Sequence, residues 1–115
     1  MDQMDDVFES VARYFALLAE PTRLRIMHSI CQQEKSVSEI VAELGASQTN
    51  VSRHLGLMYQ SGVLARRKDG NQVLYRVVDA SFTEICRTVC VRVAAELEGD
   101  KAKKRRVRSL IHALG

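Results

Sequence analysis

The sequence predicts a mainly α-helical domain that carries one small β-hairpin. Two observations predict it. Apolar residues recur at spacings of three and four through most of the 115 residues. That period breaks once, between Val63 and Val77, where two short segments flank Asp69-Gly70-Asn71, a strong hairpin signal. The expected order is α1-α2-α3-α4-β-β-α5, with a sixth helix allowed for at the C-terminal end.

Each element has its own warrant. From Asp5 to Leu18, the residues Val7, Phe8, Val11, Phe15 and Leu18 form one apolar stripe of a first helix. Pro21, pre-set for a first helical position, opens a second that runs to about Gln32, with Leu24, Ile26, Met27, Ile30 and Cys31 apolar. Ser36 or Ser38 can cap a third helix, whose Val37, Ile40, Val41 and Leu44 face inward and which stops at Gly45. Ser47 caps a fourth, running to about Gln60 with Val51, Leu55 and Met58 inward, and Ser61-Gly62 ends it. After the hairpin, Phe82, Ile85, Cys86, Val89, Cys90, Val93 and Leu97 give a long late helix to about Glu98. Gly99 is expected to interrupt it, and Val107, Leu110, Ile111 and Leu114 can form a last helix. The expected division is therefore a domain over 1–98 and a basic tail or short helix over 99–115.

Bulk properties narrow the function. A hydrophobic fraction of 46% is enough for a packed core. No apolar run reaches the ~20 residues of a membrane span, and the acidic start (Asp2, Asp5, Asp6) is unlike a signal peptide. The expectation is a cytoplasmic protein with no membrane partner. Three cysteines are an odd count for a disulfide framework, so they read as reduced thiols. Net charge is +3, and Lys101, Lys103, Lys104, Arg105, Arg106 and Arg108 carry most of the positive balance. The remainder of the chain is slightly acidic, so any contact with nucleic acid has to come from placed patches. No Gly-rich phosphate loop, cofactor motif or nucleophile–base pair emerges, which argues against an enzyme and for no resident cofactor.

The third and fourth helices carry the functional signal. They are joined by a tight Gly-Ala turn, and the fourth combines an apolar back with a polar front. Ser47, Gln48, Thr49, Asn50, Ser52, Arg53 and His54 can all hydrogen-bond base edges or phosphates. An ordinary solvated helix would carry Glu and Lys there, and this front has neither. Helix, turn and reading helix, followed by a basic hairpin with Arg66, Arg67 and Lys68, make a winged helix-turn-helix. The expected partner is double-stranded operator DNA, read by Gln48, Thr49, Ser52, Arg53 and His54 in the major groove with the wing on the backbone. The first and late helices carry more apolar surface than this unit can cover, which suits a homodimer on two-fold half-sites. A winged-helix interaction module without DNA binding or inducer is the competing reading.

Three ordered motifs resemble one family. Phe15-Ala16-Leu17-Leu18-Ala19-Glu20-Pro21-Thr22-Arg23-Leu24-Arg25-Ile26 resembles the opening of ArsR/SmtB-type bacterial repressors. Ser47 through Leu55 resembles their reading helix, and Gly62 through Gly70 with Val73 through Val77 their wing. The resemblance spans residues 5 to about 98 and implies a dimeric repressor that leaves its operator when an inducer binds. Metalloid-sensing members carry Cys-x-Cys in the third helix, where this chain has Ser36 and Ser38. The zinc-type pattern, begun at Asp79, continues here with Ser81, Arg92 and Ala95, so only its first ligand is kept. Hydroxyl, guanidinium and methyl groups do not replace thiolate or imidazole ligands.

The inducer site expected instead is Cys31, Cys86 and Cys90. Cys86 and Cys90 stand one turn apart on the late helix, and Cys31 closes the inner stripe of the second. Sulfide-responsive members of the family use cysteines on these two helices, at positions nearer His28 and Ala94. The expected signal is thiol oxidation or persulfide bridging between the second and the late helix. The alternative is a three-sulfur site for arsenite, antimonite or another thiophilic ion. Buried packing is the ordinary role of any one such cysteine.

Overall fold

The computed structural model describes residues 2–114. Five helices and three strands follow in the order α1 (Gln3–Leu18), α2 (Pro21–Ile30), β1 (Lys35–Ser36), α3 (Val37–Leu44), α4 (Gln48–Gln60), β2 (Leu64–Asp69), β3 (Gln72–Val77) and α5 (Ala80–Leu114). The chain divides into two compact units, one ending at Thr83 and one beginning at Glu84.

The first unit is built on caps and an apolar centre. Asp2 accepts from the Met4 amide to start α1, and the Glu20 carboxylate accepts from the Arg23 amide beside Pro21 to start α2. Ser36 and Glu39 form a reciprocal capping box on α3, and Gly45, at φ 68°, closes that helix in the left-handed region. Ile26, Ile30, Ile40, Val51, Leu55, Met58, Val63 and Phe82 are fully buried. Those residues come from α2, α3, α4, the link between α4 and β2 (Val63) and the start of α5, so the reading helix is fixed from behind. The Tyr14 ring meets Phe82 edge-on at 5.9 Å, and its hydroxyl donates to Asp79 Oδ2 at 3.1 Å. Asp79 Oδ1 accepts from the Phe82 amide, capping α5.

The sheet is antiparallel, in the order β1-β3-β2. The wing closes with Asp69 opposite Gln72, leaving Gly70 and Asn71 as a two-residue loop. Gly70 has φ 63° and Asn71 does not enter the positive region, the type II′ arrangement that matches strand twist. β1 was not expected from the sequence. It is two residues long, pairs Lys35 with Tyr75 and Ser36 with Leu74, and makes β3 the central strand. Central position explains why the adjacent Leu74 and Tyr75 are both buried, where simple alternation would expose one of them.

Two expected boundaries are corrected. α2 ends at Ile30 with Cys31 as its cap, instead of near Gln32. α5 runs unbroken through Gly99, so the expected interruption and separate last helix are not formed. A helical glycine costs about 0.5–1 kcal/mol relative to alanine. Here the flanks are strong helix formers, and Arg105 reaches across the glycine to Glu98 at 3.3 Å. Arg92 pairs with Glu96 one turn along the same helix. The second unit is the part of α5 from Glu84 onward, and almost all of its side chains are exposed, with Cys86 the buried exception.

Candidate nucleic-acid interface and thiol set

The outward side of α4 is polar. Ser47 accepts from the Asn50 amide at 3.1 Å and so serves as the N-cap of α4. Gln48, Thr49, Ser52 and Arg53 are exposed along the helix. Asn50 is half-buried, and its Oδ1 accepts from Arg53 Nη2 at 2.8 Å, which aligns the guanidinium along the front. The first-turn amides and these side chains together form a donor-rich face suited to phosphates and base edges.

His54 is the exception, and its expected place in the groove is corrected. The side chain is buried, with Nε2 at 3.6 Å from the Glu20 carboxylate and Nδ1 at 3.5 Å from Arg23. Position 54 lies three residues after Val51 and four before Met58, which is the inner face of the helix. Arg23 also donates to the Ala16 and Leu17 carbonyls at the end of α1. Glu20, Arg23 and His54 therefore tie the α1–α2 corner to the back of α4. Sequence reading missed this network because His54 lies 31 or more positions from Arg23 and Glu20, and only the packing of α4 on the α1–α2 corner brings them together.

The wing cations are not equivalent. Arg66 lies 4.0 Å over the Tyr59 ring, and hydrogen bonding to Tyr75 raises its pKa. Arg67 binds Glu34 in a two-pronged pair, with Nε at 3.1 and 3.2 Å from the two carboxylate oxygens. That hydrogen bond holds the Glu34 carboxyl below its ordinary value and pushes Arg67 up. Lys68 is exposed, and among the described residues it has no ion pair. Tyr59 and Glu34, both missed in the sequence, thus set the direction of two wing cations.

The cysteines differ in access. Cys31 is partly buried, with Sγ at 3.3 Å from the His28 carbonyl. Cys86 is buried, and burial, together with the charge of Cys90, raises its pKa. Cys90 is exposed. All three are free thiols. Among the described residues, no three His, Cys, Asp or Glu side chains gather as they would around a metal ion. The family ligand positions are occupied by structural groups: the Ser36 hydroxyl caps α3, and both Asp79 oxygens are engaged by Tyr14 and Phe82.

Known proteins match this arrangement. The profile of the bacterial regulatory protein arsR family matches residues 20–65, which spans α2, α3, the turn and α4. An HTH-type transcriptional regulator of Mycobacterium tuberculosis is 30% identical over 98 residues, covering 82% of this chain and 86% of that protein. The chain belongs to the arsR family. A probable mercury resistance operon repressor of Streptomyces lividans is 34% identical to this arsR-family chain over 93 residues, 78% of the chain and 74% of that protein. A homodimeric winged helix-turn-helix DNA-binding domain from Mycobacterium bovis superposes on it with a TM-score of 0.75 at 26% identity, covering 86% of this chain and 92% of that one. As an arsR-family member the protein is a DNA-binding transcriptional regulator and not an enzyme. No helix among the described residues is long and apolar enough to cross a membrane.

Proposed function

We propose that the protein is a homodimeric repressor that binds operator DNA through α4 and the wing and is released by chemistry at its cysteine thiols. The observation that carries the DNA half is the front of α4: Gln48, Thr49, Ser52 and Arg53 exposed over a back of Val51, Leu55 and Met58 with no solvent access. Ser47 and Asn50 position that front, Lys68 and Arg66 reach phosphates beside it, and Arg67 joins them by exchanging Glu34 for a phosphate. The dimer is supported by the exposed apolar residues of α1 (Met4, Val7, Phe8, Val11 and Phe15) and by the homodimeric state of the Mycobacterium bovis domain.

The thiol half rests on access. Cys90 and Cys31 can meet an oxidant or persulfide, whereas Cys86 is held as a protonated, buried thiol that reacts later. A thiophilic ion is the second reading, favoured by the mercury-resistance repressor among the relatives. Selection of bound sequences from random duplex DNA supplies the operator. Gel shifts on that operator with reductant, polysulfide, peroxide, mercuric ion, arsenite and cadmium then test the signal. Release by an oxidant or thiophilic ion, abolished in Cys31→Ser or Cys90→Ser, is expected. Binding that persists under every reagent contradicts thiol control, and failure to select any sequence contradicts operator reading.

A further inference from the structure

The charges of α5 are segregated along its length. From Glu84 to Asp100 the helix carries four acids and two arginines, whereas from Lys101 to Leu114 it carries six cations and no acid. Among the described residues only Arg105 of those six makes an ion pair, with Glu98. Lys101, Lys104, Arg105 and Arg108 are exposed and stand three, four and seven positions apart, which puts them on one side of the helix. At the helical rise this stripe runs for about 10 Å. Val107, Leu110, Ile111 and Leu114, between 53% and 88% exposed, form a separate apolar side, and Lys103 and Arg106 also lie away from the stripe. Such an arrangement costs the helix. Lys101 repels Lys104 and Arg105, and Arg108 repels the same two residues, all at spacings of three or four. The helix dipole favours cations only in the last turn, and the stripe stops short of it.

We propose that this stripe is a second surface for duplex DNA, which neutralises backbone phosphates without reading bases. A duplex presents one negative charge per ~1.7 Å of its axis, so a row of cations of this length meets several phosphates in any sequence. Phosphates between the cations also relieve the repulsion within the stripe, and release of their counterions supplies the attraction. Other occupants fit less well. A lipid surface that buried Val107, Leu110, Ile111 and Leu114 would turn Lys101 and Arg105 to water on the far side of the helix. A second copy set stripe against stripe would double the repulsion. The side chains of the stripe carry no hydrogen-bond acceptor, which suits them to phosphate oxygens and unsuits them to telling one base pair from another.

The inference rests on the DNA binding proposed above for its partner, and adds phosphate contacts to those of α4 and the wing. Fluorescence anisotropy of the full chain over a salt series reads it, on the selected operator and on an unrelated duplex. K104Q/R108Q removes two cations from the stripe, and K103Q/R106Q removes two from elsewhere on the same turns. K104Q/R108Q is expected to lower the magnitude of the log–log salt slope by at least about 1.5, and to weaken binding at low salt at least about tenfold on both duplexes. K103Q/R106Q is expected to move the slope by less than about half a unit. An unchanged slope in K104Q/R108Q, or equal losses in the two variants, overturns the stripe, while wild-type preference for the operator leaves the reading helix and wing standing. An unchanged slope with self-association lost in sedimentation assigns the stripe to a second copy and overturns the proposal. So does an unchanged slope with wild type, but not K104Q/R108Q, captured on phosphatidylglycerol vesicles, which assigns the stripe to a lipid surface. A wild type that binds neither duplex overturns both readings.

Discussion

In the proposed DNA complex, Arg53 and Glu34 act on opposite sides of the same equilibrium, one supplying a donor to DNA and the other withholding one. Arg53 is exposed and aligned by Asn50, so its guanidinium is ready for a guanine edge or a phosphate. Arg53→Ala is expected to weaken operator binding by about 1–3 kcal/mol if the contact is bidentate to a base. An unchanged gel-shift titration on the selected operator removes Arg53 from the reading set. Glu34 neutralises Arg67 in the free protein. Glu34→Gln is therefore expected to tighten binding to any duplex sequence by a few-fold, roughly the size of a surface pair. Because hydrogen bonding from Arg67 lowers the Glu34 pKa from 4.5, the pair is intact at neutral pH and is lost as pH falls through that lowered value. The gain from Glu34→Gln should thus be present at pH 7, where the wild-type pair is formed; no gain there contradicts the competition. Of the proposed reading set, the exposure of Gln48, Thr49, Ser52 and Arg53 was legible because α4 repeats regularly enough to assign faces. His54 was not, since a polar ring at an inward position looks like any front residue until Glu20 and Arg23 are seen beneath it.

Helices were legible where the chain supplies both a stripe and a stop. α3 illustrates this, with Ser36 and Glu39 at its start and a left-handed Gly45 at its end. Gly45→Ala is expected to cost about 1–2 kcal/mol, measurable by urea unfolding, because an L side chain is strained at φ 68° even though open space surrounds the Cβ. Gly99→Ala should do the opposite. Nothing lies within 4 Å of an added Cβ there, and the backbone is helical, so the substitution should stabilise α5 by about 0.5–1 kcal/mol and raise the helical signal in circular dichroism. A neutral or destabilising Gly99→Ala means that the glycine serves a bend absent from this conformation. The same comparison explains one misread boundary: glycine ends a helix where the chain turns left-handed, and merely weakens it where strong helix formers continue on both sides. β1 escaped the sequence because two residues carry no periodicity; only pairing with β3 makes Lys35 and Ser36 a strand.

At the scale of the whole molecule, the reading helix and wing state what is bound, and the thiols propose when it is let go. The winged architecture was legible from the order of stripes, turn and hairpin, and family membership agrees with it. The inducer was not, because the positions that identify metal-sensing relatives are occupied here by a helix cap at Ser36 and a doubly engaged carboxylate at Asp79. Three cysteines in one sequence do not disclose their access; the structure separates an exposed Cys90 and a partly buried Cys31 from the inward Cys86. The most direct measurement is fluorescence anisotropy of labelled operator bound to the reduced protein, followed as polysulfide, peroxide or mercuric ion is added, for wild type and a Cys31→Ser/Cys86→Ser/Cys90→Ser variant of verified fold. Loss of anisotropy in wild type, restored by reductant after the oxidants or by chelating thiol after the ion, and absent in the variant, is the predicted result. Equal release of both proteins, or release of neither, contradicts control through these cysteines.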